Sequence, residues 1–181
     1  FGAVSHKASE SEVHSADQVS ALAGRMGLHK GLILDFTITD PFDGKPWDFD
    51  VPSKCYRALE KIRLEKPMLV IGSSMCTPVR ILMQLTQHRS EPVQYRKMVH
   101  YAMKHLRFMF DVFIEQMKGG RYFLHEHPWQ PAHWELVRMR ELEKIISVFT
   151  VKCDKSHIDW SRDGTTLNSD LHPAAWVTNS M

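Results

Sequence analysis

The stretch "PMLVIGSSMCTP", residues 67–78, decides the fold, because four apolar residues run from Met68 into Gly72 and Cys76 follows. A short apolar run bounded by proline and glycine predicts a buried β-strand. Similar runs occur in "GLILDF" (31–36), "RYFL" (121–124) and "SVFTV" (147–151). Each of these runs predicts another strand of the same sheet.

Helical patterns separate the predicted strands. The segment 12–27 reads as a short strand followed by a helix, and further helices are predicted over 53–65, 94–118 and 131–146. In the third of these helices the apolar stripe is Met98, Ala102, Leu106, Met109, Phe113 and Met117. This stripe is typical of core packing and not of a cofactor site. Alternating strands and helices predict an α/β fold, namely a three-layer, doubly wound (Rossmann-like), mostly parallel sheet with helices on both faces.

Length and composition indicate one domain. The 181 residues are 43% hydrophobic and 24% charged, which is ordinary for a globular protein. Residues 1–11 are polar and predict a flexible N-terminal segment, so the single domain is assigned to 12–181. The tail from 154 is polar and rich in turn formers, and no strand is predicted there. Because the first residue is Phe1, the chain is interpreted as processed or as a piece of a longer protein.

Net charge and cysteine content indicate which cellular compartment and which binding partners to expect. The net charge of +2 gives no global attraction to nucleic acid, although a local basic patch around Arg80, Arg89, Arg96 and Lys97 would bind phosphates if it is not simply a solvated face. Three widely spaced cysteines favour a reducing, intracellular compartment, without distinguishing nucleus from organelle. No apolar run approaches the roughly 20 residues that span a bilayer, so no membrane partner is expected.

Candidate functional residues follow the predicted strands. In doubly wound sheets, ligands bind outside the carboxyl ends of the strands. Ser15, Asp35, Cys76 and Glu126 follow four of these strands, and Asp48 and Asp50 come in the turn-rich segment after the second. A cysteine and a glutamate that converge from two strand ends would form a nucleophile and an acid.

Several motifs together resemble the DNA cytosine-5 methyltransferases, and more closely a divergent branch of that fold found in retroelement polyproteins. "GSSMCTP" is similar to the catalytic loop of the enzymes, and "FLHEHP" is similar to the later strand that carries their glutamate. The motifs of the divergent branch appear in the same order at 12–15, 34–35, 46–49, 72–77, 120–128 and 178–180. The motif "GRYFLHEHP" is the specific one, and the others count only in combination.

The resemblance implies a role for each candidate. Cys76 would attack carbon 6 of a flipped-out cytosine, and Glu126 would hold and protonate the edge of the ring. Ser15 and Asp35 would contact S-adenosylmethionine, with Asp35 on the ribose, and Asp48 or Asp50 would lie near its adenine. The implied partner is nucleic acid.

The sequence also departs from the pattern of the family. "EVHSADQVS" (12–20) contains no glycine where the cofactor loop is glycine-rich, and Met75 replaces the proline before the cysteine. A second interpretation is therefore a non-catalytic α/β scaffold, an interaction subunit of a larger assembly with protein or nucleic-acid components. Whether the chain is an enzyme stays open between the two.

Each candidate residue can also have a purely structural role. Cys76 can be a plain buried thiol, Glu126 can pair with Arg121 or a histidine, and Asp35 can form a turn. His125, His127, Cys153 and His157 have spacings that a zinc site could use, but no Cys-x-x-Cys motif accompanies them. No metal is expected.

Overall fold

The chain forms a mixed α/β fold in the computed structural model, which describes residues 9–13, 23–73, 92–128, 144–145, 147–153 and 174–180. Helical segments lie between several of the strands in these ranges, as expected for a sheet covered by helices. The strands are β1 (Ser9–Val13), β2 (His29–Leu34), β3 (Thr39–Asp40), β4 (Lys45–Pro46), β5 (Leu69–Ser73), β6 (Tyr122–Pro128), β7 (Phe149–Cys153) and β8 (Ala174–Thr178). The helices are α1 (Pro52–Glu65) and α2 (Pro92–Lys118), with a short 3-10 helix over Ala23–Met26.

Six of the strands form one sheet in the order β2-β1-β5-β6-β8-β7. Each neighbouring pair from β2 to β6 is parallel, whereas β8 is antiparallel to both β6 and β7. Five strands therefore run in one direction and β8 alone is reversed, which confirms the predicted mostly parallel sheet. The strand β8 is a correction, because it lies in the tail where the sequence predicts none.

The strand β1 is unusually polar for the middle of a sheet. It begins at Ser9, inside the segment 1–11 that the sequence assigns to a flexible lead-in, and Glu10, Ser11 and Glu12 are fully buried. The register between β1 and β2 shifts next to Ser11, whose hydroxyl accepts a hydrogen bond from the Leu32 N–H at 2.9 Å. The side chain thus replaces a backbone acceptor at the irregularity.

The helices α1 and α2 contact each other and cover one face of the sheet. Pro52 occupies the first turn of α1, and α2 is followed by Gly119–Gly120, where Gly120 has a φ of 65°. The ring of Phe113 stacks on that of Phe123 in β6, with centroids 4.3 Å apart. Leu106, Met109, Phe113 and Met117 of the predicted stripe therefore pack into the core at this face, and the side chains of Met98 and Ala102 lie outside the described part of the helix. The helix predicted over 131–146 lies outside the described residues.

A hairpin of β3 and β4 is held on α1 by buried charges. Asp40 is fully buried, and its Oδ2 accepts hydrogen bonds from Lys54 Nζ at 3.0 Å and from Arg57 Nη2 at 2.7 Å. Asp43 accepts from the same two cations, at 2.6 and 2.8 Å. Burial alone would raise the pKa of the Asp40 carboxyl, but the hydrogen bonds from Arg57, the Phe42 N–H and Lys54 outweigh it and lower the pKa to about 2.

Candidate functional site

The strands β5 and β6 end side by side at the carboxyl edge of the sheet. They are parallel neighbours, with Gly72 opposite His125 and Ser73 opposite Glu126. Adjacent strands lie about 4.8 Å apart. Cys76 lies outside the described residues, and it follows Ser73 by three positions along the chain. The described backbone therefore brings Glu126 to the end of the strand that leads to the cysteine.

Glu126 lies within β6, which continues to Pro128, whereas the sequence predicts that the strand stops at Leu124. The strand is longer because residues 124–128 pair with β8, whereas only residues 122–126 pair with β5. In-register residues point to the same side of a sheet, so Glu126 shares its side with Ser73 and Trp176. The neighbouring His125 points to the other side, toward α2.

Trp176 is a candidate that sequence reasoning missed. It lies in β8 directly opposite Glu126 and is half-buried. An indole ring beside a carboxyl group offers an apolar surface on which a planar ligand can stack. The available signal is the apolar "AAWVT" before the "TNS" motif, which the polar character of the surrounding tail conceals.

His125 fixes the strand ends from the opposite side of the sheet. It is fully buried, its Nδ1 lies 3.2 Å from the Gly72 carbonyl oxygen, and its ring centroid lies 5.3 Å from that of Phe113. Burial lowers the pKa of His125 to about 4, although the hydrogen bond with Gly72 acts in the other direction. His125 is therefore neutral at neutral pH and donates its Nδ1 proton to the carbonyl.

Gly72 packs closely against α2 and His125 at the same strand end. A Cβ atom at this position would lie 2.3 Å from Cε of Met109 and 3.5 Å from Nδ1 of His125. Because Cε is the end of a flexible side chain, Met109 would have to move to admit a larger residue at position 72.

Asp35 follows β2 at the same edge, as the sequence predicts. Its Oδ1 accepts hydrogen bonds from both the N–H and the hydroxyl of Thr37, at 2.9 and 2.7 Å. Within the described part of the chain, Oδ2 forms no hydrogen bond, and the residue is half-exposed. Asp35 is therefore a turn former with one oxygen available for a hydroxyl donor. Three strand spacings, roughly 14 Å, separate β2 from β6.

Asp48 and Asp50 serve mainly to shape the loop before α1. Oδ1 of Asp48 accepts the Asp50 N–H at 2.9 Å. Oδ1 of Asp50 lies 3.3 Å from Lys104 Nζ and 3.5 Å from His105 Nε2, which joins the loop to α2. Burial lowers the pKa of His105, although the charge of Asp50 acts to raise it. Ser15, the remaining predicted contact of S-adenosylmethionine, lies outside the described residues.

Metal ligation finds no support in the part of the chain that the structure describes, where no three histidine, cysteine, aspartate or glutamate side chains converge. His125 points into the core, and the side chains of His127, Cys153 and His157 are outside the description. Neither described helix is long and apolar enough to cross a bilayer.

Comparison with protein-family models, with curated proteins and with solved structures gives no match for this chain.

Proposed function

We propose that the chain is a divergent S-adenosylmethionine-dependent cytosine-5 methyltransferase-like domain, with its cleft at the carboxyl ends of β5 and β6. The observation that carries the proposal is the parallel, in-register pairing of Ser73 with Glu126. It supports a common cleft because Cys76 follows Ser73 by three residues, and the motifs that resemble the enzymes need a cysteine and a glutamate on one edge of the sheet.

The arrangement of the sheet supports the same proposal at the level of fold. In a mostly parallel sheet, ligands bind outside the carboxyl ends of the strands, which is where the proposed cleft lies. The order β2-β1-β5-β6-β8-β7, with β8 alone reversed, is such a mostly parallel sheet and is compatible with a Rossmann-like fold. A fold likeness of this kind supports ancestry and leaves activity to be argued from the site.

The proposed chemistry uses two side chains of this chain. The thiolate of Cys76 adds to carbon 6 of the cytosine, and Glu126 holds and protonates the ring edge, so that negative charge on the base is neutralised. The base must leave the duplex to reach them, and Trp176 beside Glu126 offers a surface on which it can stack.

The residues at β2 fit the cofactor in part. S-adenosylmethionine, when bound, supplies the methyl group. Asp35 is placed at the end of β2 with one oxygen available, which suits a ribose hydroxyl. Asp50 fits the adenine poorly, since its carboxylate already engages Lys104 and His105. Asp48 is therefore the better candidate of the two for a contact with the adenine.

A second candidate function is a non-catalytic scaffold that serves as an interaction subunit of a larger assembly. The engagement of Asp50 favours it, together with the absence of glycine from residues 12–20. Under this proposal the methyltransferase-like sheet is inherited while the cofactor site is lost.

A covalent trapping experiment separates the two. Duplex DNA carrying 5-fluorocytosine, incubated with the protein and S-adenosylmethionine, is expected to form an adduct stable to denaturing electrophoresis, because fluorine blocks release of the enzyme. Cys76→Ala must abolish the adduct. The matched control Cys55→Ala must preserve it, because burial raises the pKa of the Cys55 thiol to about 11 and its Sγ is hydrogen bonded to the Phe49 carbonyl. Absence of an adduct, together with no heat of binding for millimolar S-adenosylmethionine, would favour the scaffold.

A further inference from the structure

A cavity of about 430 Å³ lies between the β3–β4 hairpin and α1, away from the ends of β5 and β6. Its walls are residues 40–42 of the hairpin and Arg57, Glu60, Lys61 and Leu64 of the helix. Phe42 and Leu64 are 77% and 78% exposed, a high fraction for large apolar side chains. Two such residues lining one open, concave surface offer an apolar contact for a ligand.

The charged side chains around the cavity differ in whether they have an ion-pair partner. The acidic residues are all engaged: Asp40 and Asp43 with Lys54 and Arg57, and Glu60 with Arg63. Lys61, by contrast, forms no ion pair with any residue of the described ranges. Its ammonium group is therefore available to pair with an anionic ligand.

Arg57 contributes a fixed hydrogen-bond donor at the same wall. Its Nε and Nη2 are used by Asp40 and Asp43, and its guanidinium lies over the Phe42 ring, 4.7 Å from the centroid. Its Nη1 forms no hydrogen bond in the part of the chain that the structure describes. A donor held in place from three sides loses little conformational freedom when it binds a further acceptor.

We propose that this cavity binds a small organic acid that carries its carboxylate on an aromatic or branched apolar group. The carboxylate accepts hydrogen bonds from Nη1 of Arg57 and pairs with Lys61, while the apolar group packs between Phe42 and Leu64. This site is separate from the proposed catalytic cleft and does not depend on methyltransferase activity.

Titration with N-acetyl-L-phenylalanine tests the proposal, with the uncharged N-acetyl-L-phenylalaninamide as matched ligand. Both are followed on the complete chain by calorimetry and by amide chemical shifts. Saturable binding of the acid is expected, with weaker binding of the amide. Lys61→Gln should weaken binding of the acid about two- to fivefold, the effect of one partly exposed ion pair, and leave the amide unchanged.

Two further variants complete the design. Phe42→Ser should weaken binding of both ligands because it removes the apolar wall. Lys66→Gln removes an exposed cation at the end of α1 that does not line the cavity, and should have no effect. The proposal is overturned if neither ligand saturates below about 20 mM, if acid and amide bind equally, or if Lys66→Gln acts like Lys61→Gln. Far-UV circular dichroism verifies that each variant is folded.

Discussion

Replacing Asp40 with asparagine should destabilise the protein strongly although it changes hardly any volume. The carboxylate is fully buried and accepts four hydrogen bonds, one from the Phe42 N–H at 3.1 Å and three on Oδ2 from Lys54 and Arg57 at 2.7 to 3.0 Å. Asparagine can keep the first bond. At the position of Oδ2, asparagine places either its NH2 group, a donor that faces the cations Lys54 and Arg57, or its uncharged carbonyl oxygen.

The magnitude follows from what the two cations retain. Breaking a buried ion pair on one side usually costs about 3–5 kcal/mol. Lys54 still bonds Asp43 and the Lys45 carbonyl, and Arg57 still bonds Asp43. Because both cations remain partnered, we expect the lower end of that range, about 3 kcal/mol.

Chemical denaturation at pH 7, followed by circular dichroism, measures the loss in the free energy of unfolding. Glu60→Gln is the control, because it removes an exposed ion pair with Arg63 that is worth about 0–1 kcal/mol. The difference between the wild-type protein and Asp40→Asn should also shrink as pH falls from about 4 to about 2. The pKa of Asp40 is lowered in the folded state, so its stabilisation is complete above the unfolded value of 3.8 and is lost on protonation. A loss at pH 7 no larger than that of Glu60→Gln would refute the argument that this cluster holds the hairpin.

Two other predictions concern β6. Because the pKa of His125 is lowered from 6.5 to about 4 in the folded protein, stability should fall by about 3 kcal/mol as pH drops between these values, and His125→Gln should lack that part of the decrease. Parallel pH curves for the two proteins would contradict it. Asn179→Ala should cost about 2 kcal/mol, because its side chain accepts the Phe123 N–H and donates to the Arg121 carbonyl, both at 2.9 Å. Thermal unfolding measures this loss, and Ser180→Ala, at an exposed position, should change stability by less than about 0.5 kcal/mol.

The parts of the fold that could be predicted are those with a local signal. The run before Gly72 gives a buried strand, the run before Asp35 gives a strand in which only Leu34 is fully buried, and the described part of the α2 stripe gives a core helix. The sequence predicts a short strand from Glu12, which overlaps the end of β1, but residues 9–11 of β1 and the strand β8 could not be recognised, because their strand character comes from pairing with segments distant in sequence. The same limit hid the cluster around Asp40, whose partner Lys54 lies 14 positions away along the chain.

Only some of the residues of the candidate site could be placed from the sequence. The position of Asp35 at a strand end was predictable from the apolar run that precedes it. The continuation of β6 through Glu126 was not, since it depends on β8, and for the same reason Trp176 could not be placed beside the glutamate. The pairing of Cys76 with Glu126 stays a prediction.

The reversed strand has a consequence for the order in which the protein is assembled during translation. β8 is synthesised after β7 yet lies between β6 and β7, so β7 has no described neighbour to pair with until β8 has left the ribosome. Until then no described segment covers this edge of β6, where the proposed acid is located, and an uncovered edge can pair with other strands in the cell. A chaperone that shields that edge during synthesis would thus protect the sheet and the cleft together.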